Sequence, residues 1–359
     1  MSSTNAWAVG YRGAFDQGHT LIEHWNGHAW KVRQSPNVAS VPNQLTAVAV
    51  VSPANAWAVG YSHTYVHGRT LIEHWNGHAW KLQGSPNVGT GANLLNGVTA
   101  TSPTNAWAVG YSGASHHART LVEHWDGHAW KVQPSPNVGT SANYLLGVSA
   151  TSATDAWAVG SHVVGGSLRT LILHWDGQSW TVQHSPSAAG VGNSLSAVTA
   201  TSSTDAWAVG NQSNGGDTQT LILHWDGHAW KVQPSPSLVG GGNFLSAVAA
   251  TSSTNAWAVG SFMPPLNPAR TLIERWNGHV WKIQRSPNAG VAQNNLYGVS
   301  ATSSTNAWAV GAHTPGLLHA LTLIEHWNGH GWKIQTSPNP GAMPSNHAGV
   351  APEACTPSG

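Results

Sequence analysis

The side chains with the most obvious chemical potential in this 359-residue chain are its 22 histidines and 13 carboxylates. Most of the histidines recur at two places: His24, His74, His124, His174, His224 and His326 precede a tryptophan, and His28, His78, His128, His228, His279 and His330 follow an Asn-Gly or Asp-Gly dipeptide. If that dipeptide is a two-residue hairpin turn, His24 lies opposite Ala29 and Trp25 opposite His28, which puts the two histidines of one copy on opposite faces where they cannot chelate together. The pairs His63/His67 and His116-His117 are weak candidates for a metal site, which takes three or four ligands. No metal and no cofactor is expected.

Ten of the 13 acids also sit at recurring positions, and only Asp16, Asp217 and Glu353 are unique. Glycoside hydrolysis needs two carboxyl groups about 5–10 Å apart around one bond, and those three are far apart in the order of copies. The chain has no His-Glu-x-x-His, no Gly-x-Ser-x-Gly and no phosphate-binding glycine loop. It reads as a non-enzyme with no catalytic residues. Leu173 and Leu223 stand where other copies have Glu23, Glu73, Glu123, Glu274 and Glu325, so the fold does not require the acid; a binding role and a tolerant surface both remain open.

Fourteen Lys+Arg against 13 Asp+Glu, a net charge of +1 and 8% charged residues argue against a nucleic-acid partner, because phosphate-backbone affinity comes from many clustered cations. The single cysteine, Cys355, excludes an intrachain disulfide framework and a cysteine-based zinc cluster. No apolar run is long enough to span a bilayer and no secretory apolar region is visible, so no membrane insertion is expected.

The positioning elements follow from the tryptophans. Trp7, Trp57, Trp107, Trp157, Trp207, Trp257 and Trp308 each sit in (Asn/Asp)-Ala-Trp-Ala-Val-Gly, fifty residues apart until an insertion near Pro264–Pro265 makes the last interval fifty-one. The other 14 of the 21 tryptophans form the pairs Trp25/Trp30, Trp75/Trp80, Trp125/Trp130, Trp175/Trp180, Trp225/Trp230, Trp276/Trp281 and Trp327/Trp332. Each unit reads as four short strands: an apolar run such as Leu95–Ala100, then Ala106–Tyr111, then Thr120–Trp125, and after Asp126-Gly127 the segment His128–Gln133. Four antiparallel strands repeated seven times predict an all-β, seven-bladed β-propeller. One bulky and one small face per blade lets neighbours pack. The tryptophans are then inter-blade core, with one per unit as a stacking platform for sugar rings as the alternative.

The ends of the chain complement each other. From each Ser-Pro proline to the valine of the next first strand the interval is twelve residues, and Pro338 to Val350 keeps it. The N-terminus starts at a second strand, so the C-terminal segment is expected to supply the missing first strand beside Asn5–Tyr11 and close the ring. His347 and Ser345 replace the Leu and Asn found there in other units, which makes this strand the weakest of its kind. The expected organisation is one domain over 1–359, with blade one formed by 1–37 plus 346–359 and the rest at about 43–87, 93–137, 143–187, 193–237, 243–288 and 294–339.

Variation between units is concentrated in the loops from second to third strands, and loops carry function more often than scaffolds do. The candidate binding residues are Tyr65, His67, Arg69, His117, Arg119, Arg169, Asp217, Arg270 and His319. The repeat Leu-x-x-Val-x-Ala, Asn-Ala-Trp-Ala-Val-Gly, Leu-Ile-Glu-His-Trp-Asn-Gly-His-Ala-Trp-Lys-Val resembles that of tectonin-type propeller lectins. More loosely it resembles the bacterial seven-bladed lectins whose units carry a His-Trp-x-Gly-type hairpin followed by Trp. The resemblance covers the whole chain and implies multivalent glycan binding between or on top of blades. The expected partner is a glycan, or else a protein bound by a structural or interaction propeller born of blade amplification. A monomer at the cell surface or outside the cell is expected, with a cytoplasmic setting as the alternative.

Overall fold

In the computed structural model, the described residues are 5–14, 17–63, 67–186, 192–213, 215–316, 319–339 and 344–352. They contain 28 strands in seven units of four antiparallel strands, and apart from one 3-10 turn at Ser115–His117 they contain no helix. In unit two the strands run Asn43–Ser52, Asn55–Ser62, Arg69–Trp75 and Trp80–Gln83, from first to fourth. A single parallel bridge, Leu168 to Gly192, joins units four and five.

The second strand is buried throughout its Ala-Trp-Ala-Val-Gly segment. Its glycine answers a backbone constraint. A bulge between Leu45 and Ala47 presses the first strand against the second, and a Cβ on Gly60 would lie 2.0 Å from the Gln44 carbonyl oxygen. Thr46, the residue inside that bulge, donates its hydroxyl to the Val59 carbonyl (3.0 Å) and to the Leu95 carbonyl of the next unit (2.9 Å). The bulge thus spends its irregularity on linking neighbours. The first strands of all seven units line one axial passage of about 190 Å³, with Asn96, Leu146, Ser196 and Tyr297 among its walls.

The third-to-fourth hairpin departs from the two-residue turn read from Asn-Gly. Trp75 pairs with Trp80, His74 with Lys81 and Glu73 with Leu82, so four residues, Asn76 to Ala79, form the loop. The Asn76 side-chain oxygen accepts from the backbone N–H groups of His78 (3.1 Å) and Ala79 (3.0 Å), and only Gly77 needs a left-handed φ, +91°. An Asx-type closure replaces the mirror-image turn that needs two positive φ values. The register therefore moves by two residues, which returns every strand side chain to the same face. His28, His78 and their counterparts sit in the loop and on neither face.

One aromatic cluster recurs at every unit-to-unit contact. Trp7 meets Trp75 and Trp80 of the next unit at ring-centre distances of 4.9 and 5.2 Å, the latter edge to face. The series continues around the molecule until Trp308 of unit seven meets Trp25 and Trp30 of unit one at 5.1 and 5.4 Å. The preceding histidine stacks on the buried tryptophan, as His124 does on Trp107 at 4.1 Å, and its Nε2 lies 2.7 Å from the Asn105 side-chain oxygen. In unit six Arg275 takes the histidine's place, 4.7 Å above Trp257. These histidines are structural partners within the blade. Burying each large indole is worth several kcal/mol before entropy.

The strand glutamates are neither surface groups nor exposed binding groups. Glu23, Glu73, Glu123, Glu274 and Glu325 are all fully buried. Ser35 donates to both oxygens of Glu73 (2.9 Å), Ser85 to Glu123 (2.9 Å) and Ser286 to Glu325 (3.0 Å). Each serine belongs to the Ser-Pro linker of the unit before. That linker is held in turn by the third-strand threonine: the Thr20 backbone N–H donates to Asn37 (2.9 Å) and its hydroxyl lies 2.6 Å from that of Ser35.

Unit one takes its first strand from the far end of the chain. Ser345–Pro352 pairs antiparallel with Ala6–Arg12, Ala6 opposite Pro352 and Arg12 opposite Ser345.

Candidate functional site

The loop residues selected from the sequence are spread over several units and do not converge. Arg69 donates to the Gly91 carbonyl (3.4 Å) and Arg119 to the Gly139 carbonyl (3.3 Å), each holding its own unit's outgoing linker. Asp217 accepts from the backbone N–H groups of Gly240 and Gly241 (3.1 and 3.3 Å). Loop-to-linker bracing thus engages three of the nine. His67, His117 and His319 are exposed, Arg169 is half-buried on a strand, and Tyr65 lies outside the described residues. Arg270 borders a recess of about 400 Å³ with Asn267, Asn288 and Val291. Among the described residues no three His, Cys, Asp or Glu side chains gather as a metal site would need.

A different place combines an aromatic face with polar groups. Between units one and two a groove of about 390 Å³ is walled by Arg33, Gln34 and Pro36 from one side and by Trp75, His78 and Lys81 from the other. Trp75 is half-buried, whereas Trp80 beneath it is 4% exposed. The Trp75 indole N–H donates to the Pro53 carbonyl (2.9 Å), which fixes the ring plane at the rim. The same anchor recurs at Trp125, Trp175, Trp225, Trp276 and Trp327. A fixed, half-open indole flanked by flexible donors can stack on the apolar face of a ring and hydrogen-bond its periphery.

Electrostatics divide the molecule into an interior of uncharged titratable groups and a rim that carries ion pairs. Burial pushes Glu23, Glu73, Glu123, Glu274 and Glu325 each up to about 8, the serine hydrogen bonds opposing this at Glu73, Glu123 and Glu325. Burial also lowers His74, His124 and His326 below the usual imidazole range. At the rim, Lys131 and Lys231 pair with Asp126 (2.6 Å) and Asp226 (2.5 Å), and the ammonium is the main cause holding both carboxyls well below the usual range. The groove was missed in the sequence because its two walls come from different units. The recurrent Trp-(Asn/Asp)-Gly-His-x-Trp-Lys segment was the available signal.

No protein-family model and no curated protein matches the chain. Among solved structures it is similar to an ulvan lyase, a polysaccharide lyase bound to -[GlcA(1-4)Rha3S]- (8% identity, 89% of this chain and 91% of that one, TM-score 0.55). It is also similar to YCF48 bound to a D1 peptide (15% identity, 86% and 84%, TM-score 0.50) and to the Aleuria aurantia lectin with Fucalpha1-6GlcNAc (15% identity, 76% and 88%, TM-score 0.47). At these identities the likeness is one of fold. The chain is a tryptophan-rich, tandem-repeat β-propeller, and propeller lectins are among the structures it is similar to.

Proposed function

We propose that this propeller is a non-enzymatic carbohydrate-binding module whose sites are rim grooves between units, built on the third-strand tryptophans that are half-open, as Trp75 is and buried Trp327 is not. The observation that carries the reading is the groove at Trp75, where an anchored indole, His78, Lys81, Arg33 and Gln34 surround a space of about 390 Å³. A pyranose stacked on an indole buries apolar C–H surface while its hydroxyls reach the flanking donors. One chain carries the platform repeatedly, so avidity needs no oligomer. The pairing of Ser345–Pro352 with Ala6–Arg12 is, in this reading, the latch that closes the ring and holds unit seven against unit one.

A glycan array followed by calorimetry tests the proposal. Saturable sugar binding with several sites per chain, weakened when Trp75 is replaced by alanine, is the expected result; a blank array would refute it. The second reading is a protein-interaction propeller acting through the loop face. It is favoured by exposed Val291 in the lining of the Arg270 recess and by exposed Leu266 next to its lining residue Asn267. A blank array with a protein captured through that face would support it.

A further inference from the structure

We propose that the groove between units one and two selects an anionic pyranose, one that carries a carboxylate or a sulfate, over neutral sugars. The inference rests on the rim-groove reading and adds the ligand's charge to it. Three basic side chains, Arg33, His78 and Lys81, surround Trp75, and among the described residues no acid lines the groove.

The comparison between units shows why this groove is singled out. Arg33 has no counterpart: Gln83, Gln133, Gln183, Gln233, Gln284 and Gln335 hold its position in the other units. Its guanidinium Nη2 lies 3.3 Å from His24 Nδ1, which seats it at the unit-one wall. Across the groove, Lys81 follows a loop that starts with Asn76, whereas the aspartates of units three and five hold their lysines in ion pairs of 2.6 and 2.5 Å. In unit four the lysine and histidine are replaced by Thr181 and Gln178. In unit six Arg285 stands at the position of Gln34, before unit seven's Lys333, but the third-strand tryptophan there, Trp327, is buried (6% exposed); at Trp75 an arginine and a lysine that no loop aspartate neutralises flank a half-open indole.

The rest of the chain reinforces the local field. The five buried glutamates hold their protons at neutral pH, which leaves eight ionisable acids against 14 lysines and arginines. The surface is more cationic than the formal +1 implies. A guanidinium can grip a carboxylate or sulfate through two parallel N–H groups, and a lysine adds a second point charge from the opposite wall.

Calorimetry on the full chain with tetragalacturonate, its methyl ester, a chondroitin sulfate tetrasaccharide and chitotetraose distinguishes the outcomes. Binding of one or both anionic probes is expected, weakened by salt and by about tenfold in the double variant Arg33→Gln/Lys81→Gln. Arg33→Gln installs the residue found in the six other units, and both positions are exposed, so the variant keeps its core. Arg12→Gln, which removes an exposed cation at the end of Ala6–Arg12 and outside the groove, is expected to leave binding unchanged. Neutral probes binding as tightly as anionic ones, or an equal loss in Arg12→Gln, would overturn the charge preference while the carbohydrate reading stands. No binding of any of the four probes together with a blank array would overturn both.

Discussion

Glu23 Oε2 lies 3.5 Å from His347 Nε2, with both side chains fully buried, at the seam where the last strand of the chain completes the first unit. The partners of Glu73, Glu123 and Glu325 are linker serines, so this contact is of another kind. Burial favours the uncharged form of each group, raising Glu23 and lowering His347, and the pair is held as carboxylic acid and neutral imidazole. Units four and five solve the same packing problem with leucine at both places, Leu173 with Leu145 and Leu223 with Leu195.

The double substitution Glu23→Leu/His347→Leu should therefore stabilise the chain by roughly 1–4 kcal/mol, because replacing a buried polar pair with apolar side chains removes its desolvation cost. His347→Ala alone should cost about 2–4 kcal/mol, since it leaves a cavity beside an acid without its neighbour. Urea unfolding of the three proteins checks both signs; a double variant less stable than the parent would show that the pair itself stabilises the seam.

Stability should fall as pH rises through neutrality. Each buried glutamate keeps its proton up to about 8 when folded, while the unfolded chain releases it near the ordinary 4.5. The folded state therefore binds more protons across that window, and the stabilisation present below it is lost by about 1.4 kcal/mol per pH unit per group. His347, held at about 3, works in the other direction between 6.5 and 3 but is a single group. Differential scanning calorimetry from pH 5 to 9 should record a falling Tm, with a shallower slope in Glu123→Gln. A Tm that climbs over this range would contradict the buried, protonated state.

Truncation after Ala342 removes the strand Ser345–Pro352 and uncovers the inner edge of Ala6–Arg12. A sharp loss of thermal stability or the appearance of oligomers is expected, because an unpaired edge invites pairing with another chain. Light scattering and a melting curve decide it; a monomer melting like the full chain would mean that the strand is no latch.

The two kinds of tryptophan should separate in mutagenesis. Trp57 is fully buried, and Trp57→Ala should cost about 3–5 kcal/mol. Trp75 is half-buried and anchored by one hydrogen bond, so Trp75→Ala should cost clearly less while abolishing sugar binding at its groove. Equal losses of stability would make Trp75 a core residue and remove the platform.

The unit length, the four strands, the shared face of the third- and fourth-strand tryptophans and the match of tail to N-terminus were legible in the amino-acid order. They rest on local periodicity, in which every second residue of a strand shares a face. The hairpin's slip of two residues preserves that parity for the strand side chains and misplaces only the loop histidines such as His78. The burial of Glu73 was not legible, since its partner Ser35 is 38 residues upstream in another unit. Nor was the groove: Arg33 and Lys81 look unrelated along the chain, and only the packing of one wedge against the next sets them on opposite walls of the same space. Periodicity fixes which way a side chain faces within its own sheet, whereas the identity of what it meets across the interface is a property of the packed units.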